Sequence, residues 1–170
     1  MVRRRIMTAV AVAAVAVAGC GKPPAKPGDP AAFLAPLGSI IAPICTLDND
    51  GQRFTLDGYL GLPQTINVEG GSNATAVDFY AKGPGDGRAV SVDVTLGKHV
   101  EVKTGKEKLA PGYKRTQADI VPDSFRVLTS AGPVTDHDRV RVTVEVKTVQ
   151  HFQTKAITAC SYQVTSIEKL

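Results

Sequence analysis

Four places in the chain hold side chains whose types and spacing could do chemistry. Asp48-Asn49-Asp50-Gly51 opens like a calcium loop, with carboxylates for a hard cation. The alternating spacing of acidic ligands is missing, and no Glu follows at the required distance. Asn-Asp-Gly directly before a strand reads instead as a turn. Asp136-His137-Asp138 sets an imidazole between two carboxylates, donors that suit a divalent metal. The other histidines, His99 and His151, are far off in sequence. No His-x-His or Glu-x-x-His spacing exists, and a polar loop before a strand has the same composition. Gly70-Gly71-Ser72-Asn73 is glycine-rich but lacks the Lys-Ser/Thr and helix of a phosphate cradle. Gly-x-Ser-x-Gly is absent. The fourth place is basic: Lys98, Lys103, Lys106, Lys108, Lys114 and Arg115, with Tyr113 among them, against Glu101 and Glu107. Basic loops with an aromatic suit polyanions or oligosaccharides, and a solvated, lysine-rich loop looks alike. These readings predict no catalytic residue, no metal site and no cofactor.

A different kind of chemistry stands at the N-terminus. Arg3, Arg4 and Arg5 precede Ile6 to Ala18, a nearly unbroken apolar run of 13 residues. A membrane span needs about 20 residues, so the run is too short to cross. A positive start, a short apolar run and small residues at its end describe a secretory signal. Val17-Ala18-Gly19-Cys20 resembles the lipobox of bacterial lipoproteins. That resemblance implies cleavage before Cys20 and transfer of a diacylglyceryl group to its thiol. Residues 1–19 are then a signal peptide, residues 20–38 a lipidated, proline-rich tether, and residues 39–170 one domain. The prolines of Gly21 to Asp29 favour an extended spacer of about 3 Å per residue, enough to hold the domain clear of the headgroups. Asp29-Pro30 is suited to cap and start a short helix, with Phe33 and Leu34 docking on the domain.

The signal reading changes what the charge means. The chain has 20 Lys+Arg against 16 Asp+Glu, and losing Arg3, Arg4 and Arg5 leaves 17 against 16. The basic character belongs largely to the signal and is no argument for nucleic acid. Anionic headgroups or envelope polymers are the partners that suit the basic segment. With Cys20 given to lipid, Cys45 and Cys160 are an even pair in an oxidising compartment, and a disulfide is expected. Two buried free thiols are the alternative.

The elements that must position all this are strands. Arg53 to Leu60 puts Phe54, Leu56 and Leu60 on one face. Val77 to Lys82 is a second candidate, and Gly83 to Gly87 is a turn by composition. Ala89 to Leu96 alternates through Val90, Val92 and Val94, and His99 to Lys103 extends or follows it. Asp138 to Val149 repeats Val140, Val142, Val144 and Val146. Ile157 to Ile167 turns Cys160, Tyr162 and Val164 inward. Strict alternation predicts strands with one wet face, hence an all-β domain. Trp is absent and Phe and Tyr number five and four, so the core must be mainly Val, Leu and Ile.

Two stretches, GQRFTLDGYL and the pair RVRVTVEV and CSYQVTSIE, resemble bacterial OB-fold domains. The resemblance implies a small five-stranded barrel with a long loop, Thr104 to Pro133, before the fourth strand. Phe125 to Leu128 looks β-like within that loop. An immunoglobulin-like sandwich is the alternative. The function expected is a lipid-anchored, extracytoplasmic, non-enzymatic module binding an envelope protein or polymer. An enzyme or metal-dependent protein, with Asp136, His137 and Asp138 joined to His99 or His151, is the alternative.

Overall fold

Val140, Val142, Val144 and Val146 are fully buried, while Arg141 between them is exposed. Each such valine contributes roughly 1.5 kcal/mol or more by leaving water. The pattern therefore fixes which face of this strand meets the core. The structure, a computed structural model, describes residues 23–61, 65–67, 74–102, 104–109, 116–120 and 124–170, with the backbone alone for 65–67, 104–109 and 116–120. The strands described, in chain order, are β1 Lys26–Pro27, β2 Arg53–Gly61, β3 Thr65–Asn67, β4 Ala74–Tyr80, β5 Val90–Thr95, β6 Val100–Glu101, β7 Thr104–Leu109, β8 Thr116–Ile120, β9 Arg126–Thr129, β10 Gly132–Val134, β11 Val140–Gln150 and β12 Ile157–Lys169. The protein is mostly β, and the helical elements among the described residues are the short 3₁₀ turns Pro30–Phe33 and Leu47–Asn49.

The main sheet runs β1-β2-β11-β12-β5-β4, and β4 also pairs with β2. β2 pairs antiparallel with β11 over Arg53 to Gly58 and then with β4 over Tyr59 to Gly61. β5 meets β12 in parallel, with Asp93 opposite Gln163. β11 and β12 form the longest ladder, and its register shifts between Thr143 and Val144, leaving Thr165 unopposed. That bulge explains the inward set on β12: Tyr162 and Val164 face in, and after the extra residue Ile167 does.

The segment Thr104 to Pro133, expected as a long loop, carries strands instead. β7 and β8 pair as a hairpin, and β3 joins β8. β9 pairs with β10 on one side and β6 on the other. TGKEKL has polar residues in both sets of alternate positions, and in TQADI the alternation is only Ala118 and Ile120 against Gln117 and Asp119, too short to mark a strand by itself.

The stretch before residue 39 is also more than a tether. Lys26 and Pro27 pair in parallel with Phe54 and Thr55, and the Gly28 amide donates to the Thr55 carbonyl at 2.9 Å. Asp29 caps the next turn by accepting from the Ala31 amide at 2.9 Å, with Pro30 at its first position. The turn delivers Phe33, 3% exposed, into the core, edge-on to Phe54 at 5.7 Å and to Tyr162 at 5.1 Å.

Gly58 sits where β2 passes from one partner to the next. A Cβ there would run into the Tyr80 carbonyl oxygen and come within 2.7 Å of the Phe79 ring. Backbone on one side and a fully buried ring on the other leave nowhere for it to go. Gly58→Ala is expected to lower unfolding free energy by about 2 kcal/mol, the usual cost of overpacking. The midpoint of a denaturant titration checks this; an unchanged midpoint would contradict the close approach.

Candidate functional site

The triplet Asp136-His137-Asp138 precedes β11 and is used as a turn. Asp138 accepts from the Thr135 amide at 2.8 Å and from its hydroxyl at 3.0 Å, and its other oxygen lies 3.3 Å from Lys169 Nζ. The Thr135 hydrogen bonds, amide first, hold its carboxyl below the ordinary range. His137 projects into solvent, 3.8 Å from Asp136. His151 lies just past the far end of β11, and His99 is buried in the turn that joins β5 to β6. These residues are not brought together. Among the described residues no group of three or more His, Cys, Asp or Glu is placed to hold a metal ion.

Asp48-Asn49-Asp50-Gly51 is likewise a turn that splices two strands. Asn49 Nδ2 donates to the Ile44 carbonyl at 2.9 Å, and Gly51 has φ +72°, a backbone conformation that favours glycine. Asp50 accepts from the Thr148 amide at 2.8 Å and hydroxyl at 3.0 Å, which lowers its pKa, the amide bond contributing most. Asp57 is held by a fork from Arg141, both bonds at 2.7 Å, and its pKa is lowered by that pairing.

Gly70 to Asn73 lies outside the described residues, as do Cys20, Lys103, Tyr113, Lys114 and Arg115. Lys106 and Lys108 fall on β7, where Lys108 stands opposite Gln117 in the backbone register. Cys45 and Cys160 are bonded to each other, with Cα atoms 5.9 Å apart. The bond ties the loop before β2 to the start of β12.

Beside that disulfide lies a shallow hollow of about 270 Å³, lined by Phe33, Leu34, Ile40, Arg88, Cys160 and Tyr162 among others. Its guanidinium is turned to structural use, since Arg88 Nη2 donates to the Ala35 carbonyl at 2.6 Å. Burial raises the Tyr162 phenol above its ordinary pKa and keeps it neutral. The walls are mixed, Ser91 and Arg88 among apolar side chains, and a committed guanidinium with a neutral phenol is not arranged for acid–base work.

The wet face that alternation gives β11 is covered in part: Thr143 and Glu145 are buried, Glu145 pairing with Lys147 at 2.6 Å. Half-buried Asp93 and buried His99 had no signal in the sequence either. Asp93 sits on the outward face of β5 against β12, and burial raises its pKa while a hydrogen bond from Ser161 opposes the rise. His99 is 5% exposed; its Nδ1 accepts from the Thr95 amide at 3.1 Å, and its Nε2 is buried without a hydrogen-bond partner. Burial, and secondarily Lys98, lowers its pKa below 6.5, so the ring is neutral. Among the described residues no helix is long and apolar enough to cross a membrane. Comparison with protein-family models, with curated proteins and with solved structures finds no match to this chain.

The His99 ring makes stability pH-dependent. The unfolded chain takes up a proton near 6.5 while the folded protein resists it, so stability is lost as pH falls below that value. Unfolding free energies measured from pH 7 to pH 5 should decline, and His99→Gln should flatten the decline; an equal slope in the variant would remove His99 as the cause. The disulfide closes a loop of sequence separation 115. Its reduction should lower stability by about 4 kcal/mol in the loop-entropy account, read as the difference between oxidised and reduced denaturation curves.

Proposed function

We propose that this chain is a bacterial lipoprotein: a β domain fastened by a lipid on Cys20 to the extracytoplasmic face of the cell membrane, serving as a non-enzymatic binding module in the envelope. The observation that carries the reading is Val17-Ala18-Gly19-Cys20 at the close of the apolar run behind Arg3, Arg4 and Arg5. A thiol in that setting, followed by Lys22, Pro23 and Pro24, has no core to join. Two or more acyl chains on it make a stable anchor, each buried methylene adding about 0.8 kcal/mol.

The main sheet is read as an OB-like barrel of β2, β4, β5, β11 and β12. Supporting this, the pairings run from β2 through β11, β12, β5 and β4 and return to β2. The parallel β5–β12 pair gives the crossed connectivity of a five-stranded Greek-key barrel. An immunoglobulin-like sandwich has two facing sheets and no such return.

Binding is favoured over catalysis because Asp50, Asp57, Asp138 and Arg88 are committed to structural bonds. The partner is an envelope protein or an anionic polymer, met in part by Lys103, Lys106, Lys108, Tyr113, Lys114 and Arg115; nucleic acid is not a partner on that side of the membrane.

Cys20→Ala is the direct test. The native chain should fractionate with membranes and carry a diacylglyceryl mass on its N-terminal cysteine; the variant should lose both. Membrane retention with the lipid mass still present would sink the reading.

A further inference from the structure

Six large apolar side chains stand exposed among the described residues: Leu37, Ile40, Leu47, Val149, Phe152 and Leu170. Their placement is uneven. Leu170 lies by Arg139, to whose carbonyl its amide donates, at the start of β11. The other five gather at the opposite end, around the disulfide. Val149 is one residue beyond Thr148, which stands opposite Cys160 in the β11–β12 ladder. Leu47 follows Cys45 by two residues, and the turn that carries it is bonded to Thr148 through Asp50. Ile40 lines the hollow beside Cys160, and Leu37 follows Ala35, which is bonded to Arg88.

Phe152 is the most advanced of them. It stands on the loop joining β11 to β12, 76% exposed, in a turn closed by His151 N–H to the Ala156 carbonyl at 2.8 Å and Lys155 N–H to the His151 carbonyl at 2.9 Å. Its ring stacks on His151 at 5.3 Å. An apolar ring held out on a closed turn is a fixed presentation of that surface. Charge at this end is mixed: Lys147 is paired with Glu145 at 2.6 Å, Asp48 and Asp50 follow Leu47, and Lys155 lies on the Phe152 turn.

The N-terminal segment enters at this same end. β1 runs parallel to the start of β2, so the chain before Lys26 heads toward Arg53. Arg53 Nη2 donates to the Pro23 carbonyl at 2.8 Å and fixes the segment there. Cys20 is three residues earlier, a length of chain that reaches about 11 Å at most. Arg53 is level with Glu145 on β11, which runs the opposite way to β2 and continues to Gln150. Those five residues carry β11 about 17 Å further in the direction the N-terminal segment takes, and the Phe152 turn lies beyond. The turn therefore extends past the farthest point the anchor can reach in that direction.

We propose that the disulfide-bearing end of the domain docks on the lipid surface, with Phe152, Val149 and Leu47 resting among the headgroups of the bilayer that holds Cys20. This rests on the lipoprotein reading above. A lipid on Cys20 brings the membrane plane within about 11 Å of Pro23, and the apolar side chains select which side of the domain turns toward it. Exposed apolar side chains on protruding turns, beside the point where the anchored segment enters, match a headgroup boundary.

The test uses the full lipidated chain in vesicles of phosphatidylethanolamine and phosphatidylglycerol containing a nitroxide-headgroup lipid. Phe152→Cys and His137→Cys are each labelled with an environment-sensitive fluorophore; Cys20 is acylated and Cys45 is bonded to Cys160, so the introduced thiol alone reacts. His137 is at the other end of β11. The label at 152 should be blue-shifted and lose most of its emission to the nitroxide, while the label at 137 is unaffected. Equal emission at both sites, with the diacylglyceryl mass present on Cys20, overturns the docking and leaves the anchor standing. A blue shift at 152 that ignores the nitroxide and grows with protein density assigns the surface to a second copy and also overturns it. Absence of the lipid mass removes the anchor and the docking together.

Discussion

The packing of Phe33 between Phe54 and Tyr162 decides where the domain begins. The ring belongs to the first turn after the proline-rich segment, yet it is buried in the same core as the strands. To reach that position the chain must run close along β2, and Gly28 permits it. A Cβ at Gly28 would come within 2.8 Å of Leu56 Cδ2 and 3.3 Å of the Phe33 ring. Once the segment is pressed there, Lys26 and Pro27 take up pairing with β2. Proline is tolerated because it lies in a two-residue edge strand. The composition of a spacer has been used to build an edge, and this removes Lys26 to Asp29 from any free reach toward a membrane.

How much of this was legible depended on whether a residue's fate was decided locally. β2, β5, β11 and β12 were readable because alternation reports a half-buried strand without reference to its partner. β7 was not, since polar residues occupy both its sets of alternate positions, and the alternation of β8 is only Ala118 and Ile120 against Gln117 and Asp119. The helical turn at Asp29-Pro30 was readable from its cap, but its consequence, an N-terminal segment spent on β2, depends on a pairing between residues far apart in sequence. The same holds for His99. Nothing in Leu96-Gly97-Lys98-His99-Val100 marks a buried imidazole; its burial follows from β6 pairing with β9, whose Leu128 amide donates to the His99 carbonyl at 2.8 Å.

The acidic motifs that first suggested chemistry share one explanation with Asp57, which no motif marked. Asp50, Asp57 and Asp138 each lie where a strand meets a turn or a neighbouring strand, and each satisfies backbone or guanidinium donors. A carboxylate that accepts two such bonds has its charge stabilised in place and its pKa lowered, which suits a fastening and opposes a proton-transferring role.

The apolar residues follow the opposite logic. Inside the domain, valine alternation is complete enough that Val140, Val142, Val144 and Val146 are wholly buried. Past the last level of β2 the same strand runs on beyond the body, and there Val149 has nothing to cover it. The inward valine set of β11 ends at Val146; Thr148 takes the next inward position, and Val149 stands on the opposite face, in the set of Arg141 and Lys147. An extension that ends in Phe152 lies on the side where the N-terminal segment enters, so under the proposed lipid on Cys20 the exposed Val149 and Phe152 would be turned toward the bilayer.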